Sequence, residues 1–175
     1  MARRFGNSRA VKRSRELIWV SVGVQASLLE TTLDIASLVI SADWATTAGF
    51  DRATILGLRG WLSVSQVATG TASDSPGVWL AIYKCGEDSP ANSMSPFNAQ
   101  DYVDFDVLWC GGQGGGISTT GANTWPSVDI NVKARRKINS GEQLRLAATV
   151  ATDTASPRFN VNGMLRTLLQ LDPPG

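Results

Sequence analysis

The chain has 175 residues, 43% hydrophobic and 18% charged, with a formal net charge of +1. That length suits one domain with a substantial core. The absence of histidine excludes His-based triads and removes the commonest metal ligand, and two cysteines are too few for a zinc site or a disulfide scaffold.

The first segment is polar and basic. Arg3, Arg4, Arg9, Lys12, Arg13 and Arg15 fall within the first fifteen residues, which hold no acid. The remaining 160 residues carry ten basic and fifteen acidic side chains, a net charge of −5. Residues 1–16 have no apolar face and read as a flexible arm, with one folded domain over 17–175. A basic arm on an acidic body points to an anionic polymer or a membrane. Arg outnumbers Lys twelve to four, and the guanidinium fork suits phosphate as well as interface carboxylates. No apolar run reaches the ~18 residues of a membrane span. The arm also imitates a transit peptide, a minor alternative.

From Leu17 onward, period-2 alternation recurs. LIWVSVGV aligns Ile18, Val20, Val22 and Val24. Residues 27–40 are ambiguous and fit a strand at TTLDI followed by a short helical turn. TILGLRGWLSVSQV aligns Leu56, Leu58, Leu62 and Val64, with Arg59, Trp61, Ser63 and Ser65 opposite. VWLAIYKC (78–85) and DFDVLWC (104–110) come next. VDINVKARRKI places Val128, Ile130, Val132 and Ala134 on one face. INSGEQL then predicts a short hairpin through Asn139, Ser140 and Gly141 into QLRLAATVAT. FNVNGMLRTLLQL aligns Phe159, Val161, Leu165, Leu169 and Leu171, with a bulge or kink expected at Gly163. Eight short strands and no long amphipathic helix predict an all-β, eight-stranded antiparallel jelly-roll sandwich with a basic N-terminal arm. A seven-stranded immunoglobulin-like sandwich is the rival, but the Cys…Trp…Cys spacing is absent.

Each chemical motif has a bland reading beside the functional one. GGQGGG (111–116) follows a strand but lacks the G-x-G-x-x-G spacing, so an inter-strand loop is preferred to a phosphate cradle. Asp104 and Asp106 would share a strand face, near Asp101. They suit a solvated face or an Arg partner better than a divalent ion or an acid pair. Lys133, Arg135, Arg136 and Lys137 are either a second phosphate-facing patch or a charged guard on an exposed edge. Most of the six tryptophans are expected in the core. Trp61 is the best candidate for an interface or nucleic-acid-stacking aromatic, although a core position is slightly preferred for it too, because loops can cover the outer face of a sandwich. Cys85 and Cys110 are expected as free, buried thiols, in preference to a bridge between neighbouring strands. No cofactor and no metal are predicted.

The arm at 3–15, the strand RATILGLRGWLSV (52–64) and the closing pair VDINVKARRKINSGEQLRLAATV (128–150) together resemble the single-jelly-roll capsid proteins of small icosahedral viruses. The T-(I/V)-x-x-x-R-G-x-(L/I) pattern at 54–62 is similar to capsid-like proteins of single-stranded DNA viruses and environmental phages. The resemblance implies a non-enzymatic shell protein of the virion, assembled inside the host cell. Its partners would be itself, in 60 copies or a multiple, and a DNA or RNA genome, with no membrane. It places Arg3, Arg4, Arg9, Lys12, Arg13 and Arg15 against nucleic acid, with Lys133, Arg135, Arg136 and Lys137 helping. Sixty arms would supply roughly 360 positive charges, only part of what a genome of a few thousand nucleotides carries. A β-sandwich binding module, carbohydrate-binding or for virion attachment, is the alternative. It would use loops 86–101 and 111–126, with Tyr102 and Trp125 stacking on sugar. A hydrolase using Asp104 and Asp106 is the third reading.

Overall fold

A computed structural model describes residues 16–28, 37–41, 44–45, 50–67, 77–90, 100–113, 117–118, 123–124, 127–151 and 158–172. The elements in chain order are β1 (Glu16–Leu28), β2 (Ser37–Ile40), β3 (Arg52–Val67), β4 (Gly77–Gly86), a helical turn α1 (Asp101–Asp104), β5 (Asp106–Gln113), β6 (Ile117–Ser118), β7 (Asn123–Thr124), β8 (Val128–Asn139), β9 (Glu142–Ala151) and β10 (Arg158–Leu171). The arm residues Arg3, Arg4, Arg9, Lys12, Arg13 and Arg15 lie outside the described residues.

Four antiparallel pairs nest inside one another along the chain: β1 with β10, β2 with β9, β3 with β8, and β4 with β5. The chain is therefore one long hairpin whose rungs pass alternately to two sheets. Pairing of β10 with β3 joins the first and third rungs, and pairing of β9 with β4 joins the second and fourth. One sheet runs β1-β10-β3, with β8 and the two-residue strands β7 and β6 beyond β3; the other runs β2-β9-β4-β5. This is the predicted eight-stranded jelly roll, with two short extra strands.

Alternation explains the core. Val24, Leu58, Leu62, Val64, Ile130, Val161, Leu165 and Leu169 point inward from the first sheet. Val78, Leu80, Ile82, Leu144, Leu146 and Ala148 meet them from the second. Each such Val, Leu or Ile contributes about 1.5–3 kcal/mol of burial, far more than a surface ion pair at ~0.2–1 kcal/mol. The inner layer, not surface charge, therefore holds the sandwich.

Five local expectations are corrected. INSGEQL is not a hairpin: β8 pairs with β3 and β9 with β2 and β4, so Ser140–Gly141 is a corner between sheets. Gly141 sits at φ +80°, which favours glycine there, and Asn139 donates its backbone N–H to Glu142 Oε2 at 2.7 Å. Ser37–Ile40 is a strand instead of a helical turn, while TTLDI lies outside the described residues. Leu56 is only half-buried, because the register of β3 against β8 shifts between Ile55 and Gly57; Ala53 and Ile55 take the inward places. No shift occurs at Gly163; the one on β10 is between Leu168 and Leu169. Gly163 instead allows close approach of β3, since a β-carbon there would overlap the Trp61 carbonyl oxygen. Gly111, Gly112 and Gln113 extend β5 and pair with Leu80, Trp79 and Val78, and are not loop. A β-carbon at Gly112 would overlap the Trp79 ring, so this glycine makes room for the indole.

The two outer faces differ. On the second sheet, Ala81, Tyr83, Cys85 and Ala147 form a small apolar cluster beneath Phe105 and Val107. The Tyr83 and Phe105 rings meet edge-on at 5.4 Å. Gln143 Nε2 donates to the Gly86 carbonyl at 3.1 Å, and buried Arg145 donates to the Pro90 carbonyl at 2.7 Å. These bonds fasten residues 86–90 across that sheet. On the first sheet, large side chains stand in solvent.

Candidate nucleic-acid interface

The register defines the solvent face of the first sheet row by row. Trp19, Leu168, Gly57 and Lys133 stand side by side; then Ser21, Arg166, Arg59 and Asn131; then Gly23, Met164, Trp61 and Asp129. Trp19 is 45% exposed, Trp61 44%, Met164 50% and Leu17, at the start of β1, 59%. Alternation produces this: the same strands that send Val20, Leu62 and Leu165 inward must send Trp19, Trp61 and Met164 outward. The expectation that most tryptophans are core is therefore corrected. Trp44 is buried and Trp109 half-buried, but Trp19, Trp61 and Trp79 are exposed. Trp125 lies outside the described residues.

Arg59 and Arg166 face each other directly across the β3–β10 pair. Like charges in that position repel. No carboxylate among the described residues forms an ion pair with either. Arg166 lies over the Trp19 ring at 5.1 Å, a cation–π contact. Asp129 is the one acid in these three rows.

The predicted basic cluster on β8 is divided. Lys133, Arg135, Arg136 and Lys137 are all exposed. Lys133 belongs to the rows above. Arg136 turns to the other sheet and donates Nε to Asp106 Oδ1 at 3.1 Å. Lys84 joins Asp106 at 3.8 Å and Glu142 at 3.3 Å, and donates to the Lys137 carbonyl at 3.1 Å. This network ties β8 to β4, β5 and β9 at the open side of the sandwich. Sequence reasoning missed Arg166 as a partner of Arg59. The signal was present in the outward position of both, but their pairing requires the β3–β10 register.

The acidic candidates separate. Asp104 sits on α1, where it accepts from Gln100 Nε2 at 3.0 Å, and Asp106 opens β5. They do not share a strand face, and no group of three acidic or cysteine side chains among the described residues is placed to hold a metal ion. A cleft of about 440 Å³ beside them is lined by Tyr102, Phe105, Asp106, Trp109, Cys110 and Arg136. Burial pushes the Tyr102 hydroxyl pKa up, with smaller contributions from Cys110 and Asp101.

Cys85 is free and buried, and burial pushes its thiol pKa up, opposed in part by Arg145. Cys110 is free but exposed, which corrects the expectation for that residue. It pairs with Ala81, four positions from Cys85 along β4, about 13 Å by strand rise and too far for a bridge.

Strand order and pairing define the class: a single antiparallel jelly-roll domain. No family model matches the chain, and no curated protein does. Among solved structures it is similar to that of Desmodium yellow mottle tymovirus, at 14% identity over 94% of both chains with a TM-score of 0.33. It is also similar to the decameric BFDV capsid protein, at 8% identity over 91% of this chain and 100% of that one, TM-score 0.38. A third is Eiger TNF from S. frugiperda, at 12% identity over 93% and 96%, TM-score 0.38. The structures it resembles thus include viral capsid proteins. The fold assignment rests on the strand order.

Proposed function

We propose that this chain is the coat protein of a small icosahedral virus, a structural protein that assembles into a shell and holds nucleic acid within it. The observation that carries this reading is the amount of large apolar surface left in solvent on separate parts of one domain. Leu17, Trp19, Trp61 and Met164 stand on one sheet, Trp79 on the other, and Tyr102 and Val103 on α1. Aromatic surface of this kind is enriched in subunit contacts. Trp79, Tyr102 and Val103 supply neighbour contacts, in 60 copies or a multiple. The arm residues face the genome, DNA or RNA, with Lys133, Arg135 and Lys137 of β8 beside them, while Arg136 is engaged by Asp106. The virion is its location, assembled inside the host cell.

Negative-stain microscopy of the expressed protein tests this. Closed shells are expected; a uniform population of monomers or trimers would overturn the reading. Deleting residues 2–15 should leave the folded body intact and strongly reduce the nucleic acid recovered in particles, read as the 260/280 nm absorbance ratio. An unchanged ratio would remove the arm from genome binding.

A further inference from the structure

We infer that the solvent face of the first sheet is a binding platform for single-stranded nucleic acid, formed by a diagonal stripe of Trp19, Arg166, Arg59 and Trp61. The inference rests on the packaging reading, but it assigns the contact to the folded body and to one form of nucleic acid.

The register places the stripe. Trp19 stands on β1, Arg166 on β10, and Arg59 and Trp61 on β3. The arginine row lies midway between the two tryptophan rows. Two strand spacings and four residue rises put the indoles about 16 Å apart. Two cations thus sit between two exposed indoles, with Arg166 itself lying over the Trp19 ring at 5.1 Å, the combination that binds unpaired nucleotides: bases stack on the Trp61 ring and on the Arg166–Trp19 pair while phosphates meet the guanidinium groups. Each tryptophan row carries one glycine two strands away, Gly57 beyond Leu168 and Gly23 beyond Met164, so no bulky side chain stands at those positions.

Charge selects the occupant. Arg59 and Arg166 oppose each other in register, an arrangement unfavourable by itself and relieved by an anion placed over both. Lys133 adds a third cation, against Asp129 alone. A second copy meeting this face across a twofold axis would bring the same arginines together, so a twofold self-contact through the stripe is disfavoured. A duplex keeps its bases stacked inside and offers the indoles nothing, so the platform favours a single strand.

The test uses the full chain and fluorescently labelled 20-nucleotide oligothymidine, with a duplex of the same length as comparison, by anisotropy at several salt concentrations. Wild type should prefer the single strand. Trp61→Thr and Trp19→Thr should each weaken single-strand binding about 5- to 100-fold and leave duplex binding, which the arm supplies, unchanged. Trp61→Phe should restore most of the loss. Arg59→Gln with Arg166→Gln should lower the single-strand salt slope by about 1–2. Circular dichroism checks that each variant is folded. Equal loss for single strand and duplex, or no loss for either, overturns the platform. Failure to assemble with oligonucleotide binding unchanged also overturns it and makes the face a subunit contact. Shells that package normally while all variants bind as wild type sink the platform alone; single-strand binding through the stripe by a protein that forms no shells sinks the coat-protein reading alone.

Discussion

At Gly60 the β3 backbone passes so close to β10 that a β-carbon would overlap the carbonyl oxygen of Met164. Neither strand can move without disturbing the core layers formed by Leu58, Leu62 and Leu165. Gly60→Ala should therefore cost about 2 kcal/mol or more, lowering the melting temperature by about 4–8 °C; a Tm within 1 °C of wild type would contradict the close approach. Thr167 makes the opposite case. Its side chain is fully buried and its hydroxyl has no hydrogen-bond partner among the described residues. Valine has the same shape without the buried polar atom. Thr167→Val should stabilise by about 1 kcal/mol, read as a rise of about 2–4 °C by scanning calorimetry; a lower Tm would mean that the hydroxyl is satisfied.

Among the elements, β5 and β8 are edge strands of different sheets, and Asp106 links them by accepting from Arg136 and pairing with Lys84. The three side chains are partly exposed, so the network is worth about 1 kcal/mol or less after solvent screening. Asp106→Ala should lower the Tm by at most a few degrees at low salt, and the gap to wild type should shrink in 1 M NaCl. A gap that salt leaves unchanged would assign the loss to packing around Phe105 instead. The corner between β8 and β9 illustrates what local sequence hides. Asn139, Ser140 and Gly141 give a correct turn, yet a turn connects two strands of one sheet or of two with the same residues. Only the partners of β8 and β9 decide between them.

For the whole molecule, the nested rungs join residues far apart in sequence: Glu16 pairs with Leu171, and Ser37 with Leu146. Loop closure must precede most of the favourable contacts, so folding is expected in the millisecond-to-second range. Stopped-flow refolding followed by tryptophan fluorescence checks this, and completion in under a millisecond would contradict it.

The sequence by itself determined the fold class, because alternating side chains can bury one face of a strand only in a layered β structure. It also determined which side chains face away from the core: Arg59, Trp61 and Lys133 are outward by parity alone. The charge asymmetry between residues 1–15 and the rest was likewise readable, since it is a count. Strand partners were not readable. Parity says which face a residue takes and nothing about which strand lies beside it, so the Arg59–Arg166 pair, the Arg136–Asp106 tie and the separation of Asp104 from Asp106 all waited for the tertiary structure. The exposure of Trp19, Trp61 and Trp79 did too. An outward aromatic is covered or bare depending on what packs above it, and here Phe105 and Val107 pack over Tyr83 while Trp79 on the same sheet and Trp19 and Trp61 on the other stay in solvent.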